Sequence, residues 1–441
     1  MLFSRAFPRK SLFLRIRQML ISKFFIPMIC RRDEKLSSEY DEVISKISRG
    51  TLPLVSKLIS NNLLKGEYQK THMLITHGRG GGADQYVHMA AEKFENQNIR
   101  TFILTYNFIA KKLIVSRNNI NKNEEIEFSL PDEIPQFISF LNNQKVSKIQ
   151  INQTRFFPEY FVWSLPKIAK LIGADLEYFF HDFLTICPRM HLVNNSGRYC
   201  ELPDEDACNK CLDDNGVLTT APADIEDWRE NQGRLLSHMK KFYAPSADTA
   251  LIINKVFPDI EIKTVPHKES FDDVKFPKYI AHKKDERLRV AVVGALKLLK
   301  GADVVYRCIE DAHKRKLPID FVIVGYSIYD KKLADFPNVE ITGKYSDADI
   351  FEILNDRACH VAFFASVWPE TFNFVFTRTT LSSLYPVAFD IGAIAQRIKA
   401  IGWGKVLPMS MIDDPKEIND SLLNLKITKP LKKIFSMVSD A

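Results

Sequence analysis

The segment Val361–Asp390 reads VAFFASVWPETFNFVFTRTTLSSLYPVAFD. Its β-branched and aromatic start, Val361–Phe364, predicts a buried strand. A loop, Ser366-Val367-Trp368-Pro369-Glu370, then leads into a helical stretch opening near Thr371. A carboxylate, Glu370, therefore sits in a strand-to-helix turn, where backbone N–H groups lack helical partners. Such a turn suits a ligand that carries both hydroxyls and phosphate. Lys300-Gly301 precedes another predicted helix, so an ammonium there could neutralise a diphosphate with help from the helix N-terminus.

Three further groups could carry chemistry. The loop His77–Gly82 joins a strand to a helix, and its consecutive Gly80, Gly81 and Gly82 let a ligand approach the backbone. No Gly-Lys-Ser/Thr follows, and the glycine spacing is not that of a dinucleotide fingerprint. His181-Asp182 ends a predicted strand, where a histidine could orient a sugar hydroxyl or serve as a core histidine. Cys187, Cys200, Cys208 and Cys211 fall within one 25-residue stretch. They read as a structural zinc site pinning an irregular excursion, as reduced thiols packed within it, or as disulfides under oxidising conditions. His267, after Pro266, reads as a linker residue.

Strands and helices alternate around these residues, which predicts α/β architecture with mostly parallel sheets covered on both faces. At 441 residues the chain is too long for one ordinary domain. Residues 1–67 read as a basic arm and helical lead-in, and 68–265 as a first doubly wound, Rossmann-like domain with an excursion at 183–227. A charged, Pro-containing linker spans 266–287, and a second Rossmann-like domain covers 288–441. Helix Ala302–Arg315 should bury Val305, Cys308, Ile309 and Ala312. Two such halves predict a ligand cleft at the carboxyl ends of their strands.

Charge narrows the partners. The net charge is +7, yet residues 1–32 hold Arg5, Arg9, Lys10, Arg15, Arg17, Lys23, Arg31 and Arg32 and no acid. Without those eight, 53 basic residues face 54 acidic ones, so nucleic-acid binding by the body is not indicated. Phe13, Ile16, Leu20 and Phe24 fall at helical spacing in the arm, and Pro27 should end that helix. The arm reads as a helix on an anionic membrane surface, as one packed on the body, or, being Arg-rich and free of acids, as an organelle transit peptide. No run reaches the roughly 18 apolar residues of a membrane span. The location expected is cytoplasmic, peripheral to the inner face of the membrane if the arm docks there.

The chain resembles family-4 glycosyltransferases of the GT-B fold, particularly those of bacterial cell-surface polysaccharide assembly. The resemblance rests on ITHGRGGGADQYV (75–87), FHDFLTICPRMHLVNNSGRYC (180–200) with CNKCL (208–212), and VVGALKLLKGADV (292–304). SVWPETFNF (366–374), AFDIGA (388–393) and GWGKVLP (402–408) complete it. It implies a nucleotide-sugar donor, a saccharide or lipid-linked acceptor, retention of configuration and no catalytic metal. It implies that Gly80–Gly82 and Lys300 flank the donor diphosphate, and that His181 and Glu370 contact its sugar. Gly301, Thr371 and Phe372 belong to the same donor-binding segments. The family's second glutamate, which bonds the ribose, is replaced by Arg378, which cannot accept a hydrogen bond. Arg378 could instead reach phosphate, or the chain could be a catalytically degenerate GT-B protein that binds a sugar nucleotide or a partner enzyme.

Overall fold

The computed structural model describes residues 66–118, 125–217, 224–271, 274–283 and 285–440, with 42, 44–46, 63 and 64. The basic arm lies outside these residues.

The chain divides into two compact units. The N-terminal unit runs to Asn195 and includes Glu201–Ala244 and Ile252–Lys263. Ser196–Cys200, Pro245–Leu251 and everything from Thr264 on belong to the C-terminal unit.

The N-terminal unit holds an eight-stranded sheet of order β4-β3-β2-β1-β5-β6-β7-β8. These strands are β1 (Lys70–Ile75), β2 (Ile99–Asn107), β3 (Lys112–Ser116), β4 (Ile126–Ser129), β5 (Val146–Ile151), β6 (Asp175–Phe179), β7 (Lys241–Ala244) and β8 (Ile262–Thr264). β1 pairs in parallel with β2 and β5, and β6 with β5 and β7. β3 and β4 add two antiparallel strands at one edge. Phenylalanine fills one layer of this unit. Phe128 meets Phe137 and Phe140, and Phe137 meets Phe161, with centroids 5.4, 5.7 and 5.9 Å apart. Truncating one such ring to alanine typically costs about 3–5 kcal/mol.

The C-terminal unit holds a six-stranded sheet, order β11-β10-β9-β12-β13-β14. Its strands are β9 (Leu288–Leu296), β10 (Ile319–Ser327), β11 (Val339–Ile341), β12 (Val361–Phe364), β13 (Tyr385–Phe389) and β14 (Lys405–Leu407), all parallel. The chain winds outward from β9 to β11, then restarts on the other side of β9 at β12. Helix Ala302–Lys314 buries Val305, Cys308, Ile309 and Ala312, the face its spacing predicts, together with Ala302 and Val304.

Elements of the excursion are more regular than its composition suggests. Helix Glu205–Asn215 is capped by Asp204, and helix Ile225–Leu236 by Asp224. Each cap carboxylate accepts a first-turn N–H that would otherwise lack a partner.

Candidate active site

In the C-terminal unit the loops after β9 and β12 meet, because these adjacent strands flank the point where strand order reverses. Open α/β sheets bind ligands there. A short 3-10 turn, Leu298–Lys300, ends at Gly301, whose φ of 77° lies in the left-handed region. A Cβ on Gly301 would stand 1.9 Å from the Ala365 carbonyl oxygen, so only glycine permits this approach. Val367 N–H donates to the Leu299 carbonyl at 3.1 Å and ties the loops together.

That closure brings Lys300 onto Glu370. The ammonium donates to Oε2 of the carboxylate. Ser366 Oγ donates to Oε1, and Asn373 Nδ2 donates to Oε2 at 2.8 Å. Glu370 is 4% exposed at its side chain, Lys300 42%. The acid is thus fixed, while the cation keeps a face to solvent. The helix that follows begins at Phe374 rather than Thr371, because Asn373 caps it by accepting from Phe376 N–H at 2.8 Å. Asn373 therefore both caps the helix and orients Glu370.

Thr371 and Phe372 are buried. His267 is buried against Phe372 and Phe374, with centroids 4.6 and 5.5 Å away, rather than lying in a solvated linker. Arg397 lies over Phe372 at 4.6 Å and Phe376 at 4.5 Å. It donates to the Asn373 carbonyl at 3.1 Å and to Thr377 Oγ1 at 2.7 Å. Burial lowers its pKa to about 9, so at neutral pH it remains a desolvated cation behind the Glu370 loop. Its helix shows the signal: in GAIAQRIKAI, Arg397 shares the apolar face of Ile394, Ile398 and Ile401.

Arg378 is bound inside the unit. Its Nε and Nη2 donate to Glu269 Oε1 at 3.0 and 2.5 Å, and Nη1 reaches Asp347 Oδ1 at 2.7 Å. Burial opposes its charge, but the Asp347 and Glu269 carboxylates outweigh burial and raise its pKa further.

In the N-terminal unit, His181 ends the strand as expected. It is stacked on Phe179 at 4.4 Å, lies beside Tyr86 at 4.7 Å, and shares a 3.1 Å hydrogen bond with Asn152 Oδ1. Burial drives its pKa down to about 3, with a smaller contribution from His77. Burial likewise raises Asp182 to about 6, against hydrogen bonds from Leu184 N–H and Gln153. The neutral imidazole can exchange hydrogen bonds but cannot supply charge.

The signs of these shifts fix a pH dependence. The unfolded His181 takes a proton below about pH 6.5, whereas the folded one resists it to about 3. Its contribution is complete above pH 6.5 and is lost on acidification. His72, lowered by burial to about 4, acts in the same direction, while Asp182 opposes both between its usual 3.8 and about 6. Between pH 6.5 and 5, urea unfolding of His181→Gln should therefore lose less stability than wild type, by up to about 2 kcal/mol. Equal slopes would contradict burial of a neutral His181.

The glycine loop wraps a carboxylate of its own. Asp84 accepts from Thr76 Oγ1, from Gly80 N–H, and from Gly78 N–H at 3.3 Å, with His77 Nδ1 also 3.3 Å away. Burial alone would raise the Asp84 pKa, but His77, Thr76 and the Gly80 amide lower it overall. No side chain caps helix Gly82–Asn96, and a Cβ at Gly80 or Gly81 would meet nothing within 4 Å.

Among the described residues no group of three or more His, Cys, Asp or Glu could hold a metal ion, so the zinc reading of Cys187, Cys200, Cys208 and Cys211 gains no support there. Helical spacing does set Cys208 and Cys211 one turn apart, but other partners occupy them. Cys208 Sγ lies 3.7 Å from the Pro203 carbonyl and 3.9 Å from the Arg229 guanidinium, a poor neighbour for a dication. Cys211 Sγ accepts from Asn215 Nδ2 at 3.7 Å.

No protein-family model matches the chain, and no curated protein matches it in sequence. Solved structures match its fold. The pneumococcal O-GlcNAc transferase GtfA, in complex with UDP and GlcNAc, is 11% identical, with 84% of this chain and 96% of that one covered at a TM-score of 0.53. The lipopolysaccharide outer core galactosyltransferase WaaB is 13% identical over 84% and 94% of the chains, with a TM-score of 0.54. Sucrose-phosphate synthase from Thermosynechococcus elongatus is 13% identical over 84% and 94%, with a TM-score of 0.52. At such identities the likeness is one of architecture: two Rossmann-like units, each with its own parallel-dominated sheet, make this chain a protein of the GT-B fold.

Proposed function

We propose that the chain is a metal-independent, retaining glycosyltransferase of the family-4 type. It moves a hexosyl group from a nucleotide-diphosphate sugar to a saccharide or lipid-linked acceptor in cell-surface polysaccharide synthesis. The observation that carries this reading is the Lys300–Glu370 pair at the strand-order switch, with Ser366 and Asn373 orienting the acid. Structures of similar fold hold UDP, including Anabaena HepE and GtfA, which makes UDP-sugars the first donors to test.

The chemistry follows from the residues. Glu370, held on both oxygens, accepts hydrogen bonds from the donor's sugar hydroxyls. Lys300, half in solvent, swings from Glu370 to the departing diphosphate and neutralises charge as it develops. The Gly301-capped helix start adds its dipole. Fixing donor and acceptor supplies the remaining acceleration, and the donor phosphate assists acceptor deprotonation. His181, neutral, positions a hydroxyl near the reacting carbon. The basic arm, residues 1–32, holds the protein on an anionic membrane surface at the cytoplasmic face. Among the described residues no helix is long and apolar enough to cross a membrane.

The internal engagement of Arg378 favours one second reading, a catalytically degenerate protein that binds the sugar nucleotide without turnover. A nucleotide-sugar panel screened by thermal shift, followed by transfer assays with the ligands that bind, separates the two. A ligand at a hundred times its Kd should stabilise the fold by about 2.7 kcal/mol. Stabilisation with acceptor-dependent UDP release supports the transferase; stabilisation without release supports the degenerate reading; no stabilisation by any nucleotide-sugar rejects both.

A further inference from the structure

Three loops at the carboxyl edge of the N-terminal sheet carry an aromatic and cationic cluster. β1 lies between β2 and β5, so the loops after these strands are neighbours. Phe108 lies in the turn after β2, Arg79 in the loop after β1, and Arg155 and Phe156 in the loop after β5. The two rings stack with centroids 5.6 Å apart and planes 21° apart. The Arg79 guanidinium lies 5.3 Å from the Phe108 centroid and 5.5 Å from that of Phe156. Arg155 lies 4.7 Å from Phe156.

Several observations point to a ligand. Among the described residues neither guanidinium forms an ion pair, and Arg155 Nε is buried without a hydrogen-bond partner. The nearby carboxylate, Asp182, accepts hydrogen bonds from Leu184 N–H and Gln153 and attracts Arg155 without forming an ion pair with it. Phe156 has φ 78°, a conformation that costs a bulky residue roughly 1–3 kcal/mol and persists only where its surroundings impose it. Phe108 and Ile109 are 46% and 80% exposed. Asn107 Oδ1 accepts from Ile109 and Ala110 N–H, both at 3.1 Å, and so fixes the turn that exposes them.

Aromatic faces hold the guanidinium planes by cation–π attraction and leave their N–H edges available. Such edges match a carboxylate or phosphate bidentately, while Phe108 and Ile109 offer an apolar shelf beside them. We infer that Arg79, Arg155, Phe108 and Phe156 form a binding site for an acceptor that carries an oxyanion, carboxylate or phosphate, next to an apolar or pyranose-ring face. The word acceptor rests on the glycosyltransferase reading; the binding does not.

Calorimetry on the full chain in saturating UDP, which blocks the donor site, tests it. The probes are p-nitrophenyl β-glucuronide and octyl phosphate, each against its neutral counterpart, p-nitrophenyl β-glucoside or octyl glucoside. At least one charged probe should bind ten-fold or more tightly than its neutral partner, and weaken as salt rises. The glucuronide arm distinguishes an acidic sugar, the octyl phosphate arm a phosphate-linked acceptor. Arg79→Gln and Arg155→Gln should each weaken the charged probe about ten-fold and leave the neutral probe and UDP unchanged. Phe108→Ala should weaken charged and neutral probes alike. Arg79 and Phe108 are exposed, so their variants fold whatever Arg155→Gln does. Equal affinity for charged and neutral probes, or charged-probe affinity indifferent to Arg79→Gln, overturns the site. If UDP fails to bind while a charged probe still depends on Arg79, the site stands and the transferase reading falls.

Discussion

Arg378→Glu is expected to destabilise the C-terminal unit strongly, although it places at position 378 the glutamate found in the family that the sequence resembles. Side chains of Arg378 and Glu269 are 7% and 8% exposed, and Asp347 closes the other edge of the guanidinium. Reversal would set three carboxylates together and strand a buried Glu269. Removing one partner of a buried pair costs about 3–5 kcal/mol. For a unit of this size that lowers the melting temperature by about 10 °C. Arg378→Glu combined with Glu269→Arg should recover about 1–3 kcal/mol, the coupling usual for groups in direct contact. A melting temperature unchanged in the single variant would show that the pair carries no structural weight. A gain of transfer in Arg378→Glu would need that stability measured beside it, since a partly unfolded protein hides any recovered ligand contact.

Lys300→Ala and Glu370→Ala should each reduce transfer by about 10²–10³ while the fold survives, the scale seen when a preorganised electrostatic group is removed. Lys300 is partly exposed, so its truncation should move the melting temperature little. Glu370→Ala leaves Ser366 Oγ and Asn373 Nδ2 without their acceptor and should cost about 1–3 kcal/mol. Glu370→Gln preserves size and most hydrogen bonding, so a loss of turnover there isolates the charge. Steady-state transfer and a thermal melt on each variant decide the matter. Normal turnover in both alanine variants rejects the site assignment.

The second sheet was legible because each of its units repeats one pattern: a short apolar run, a loop and an amphipathic helix. Helix Ala302–Lys314 shows it, since spacing alone selects the residues that the structure buries. The antiparallel pair β3 and β4 was not legible. Residues 117–125, polar apart from Ile120, separate its strands, and KLIVS and IEFS are too short for their alternation to outweigh that break. The cysteine spacing left the zinc reading unsupported for a different reason. It fixes which side chains share a helix face, whereas Asn215, Arg229 and the Pro203 carbonyl decide what they meet. His267, Glu269 and Arg397 likewise acquire their roles from partners distant in sequence. Only Arg397 carries a local sign, a cation on an apolar helix face.

Asp84 gives the triple-glycine bend an occupant from its own chain. A side chain already quenches part of the positive potential that bare amides would present, and the bend is shaped before any visitor arrives. A dianion entering there would confront the fixed negative charge of Asp84. The uncharged, hydroxyl-bearing end of a substrate meets no such repulsion. The same peptide geometry that in other proteins cradles phosphorus is here already engaged by a carboxylate of its own chain.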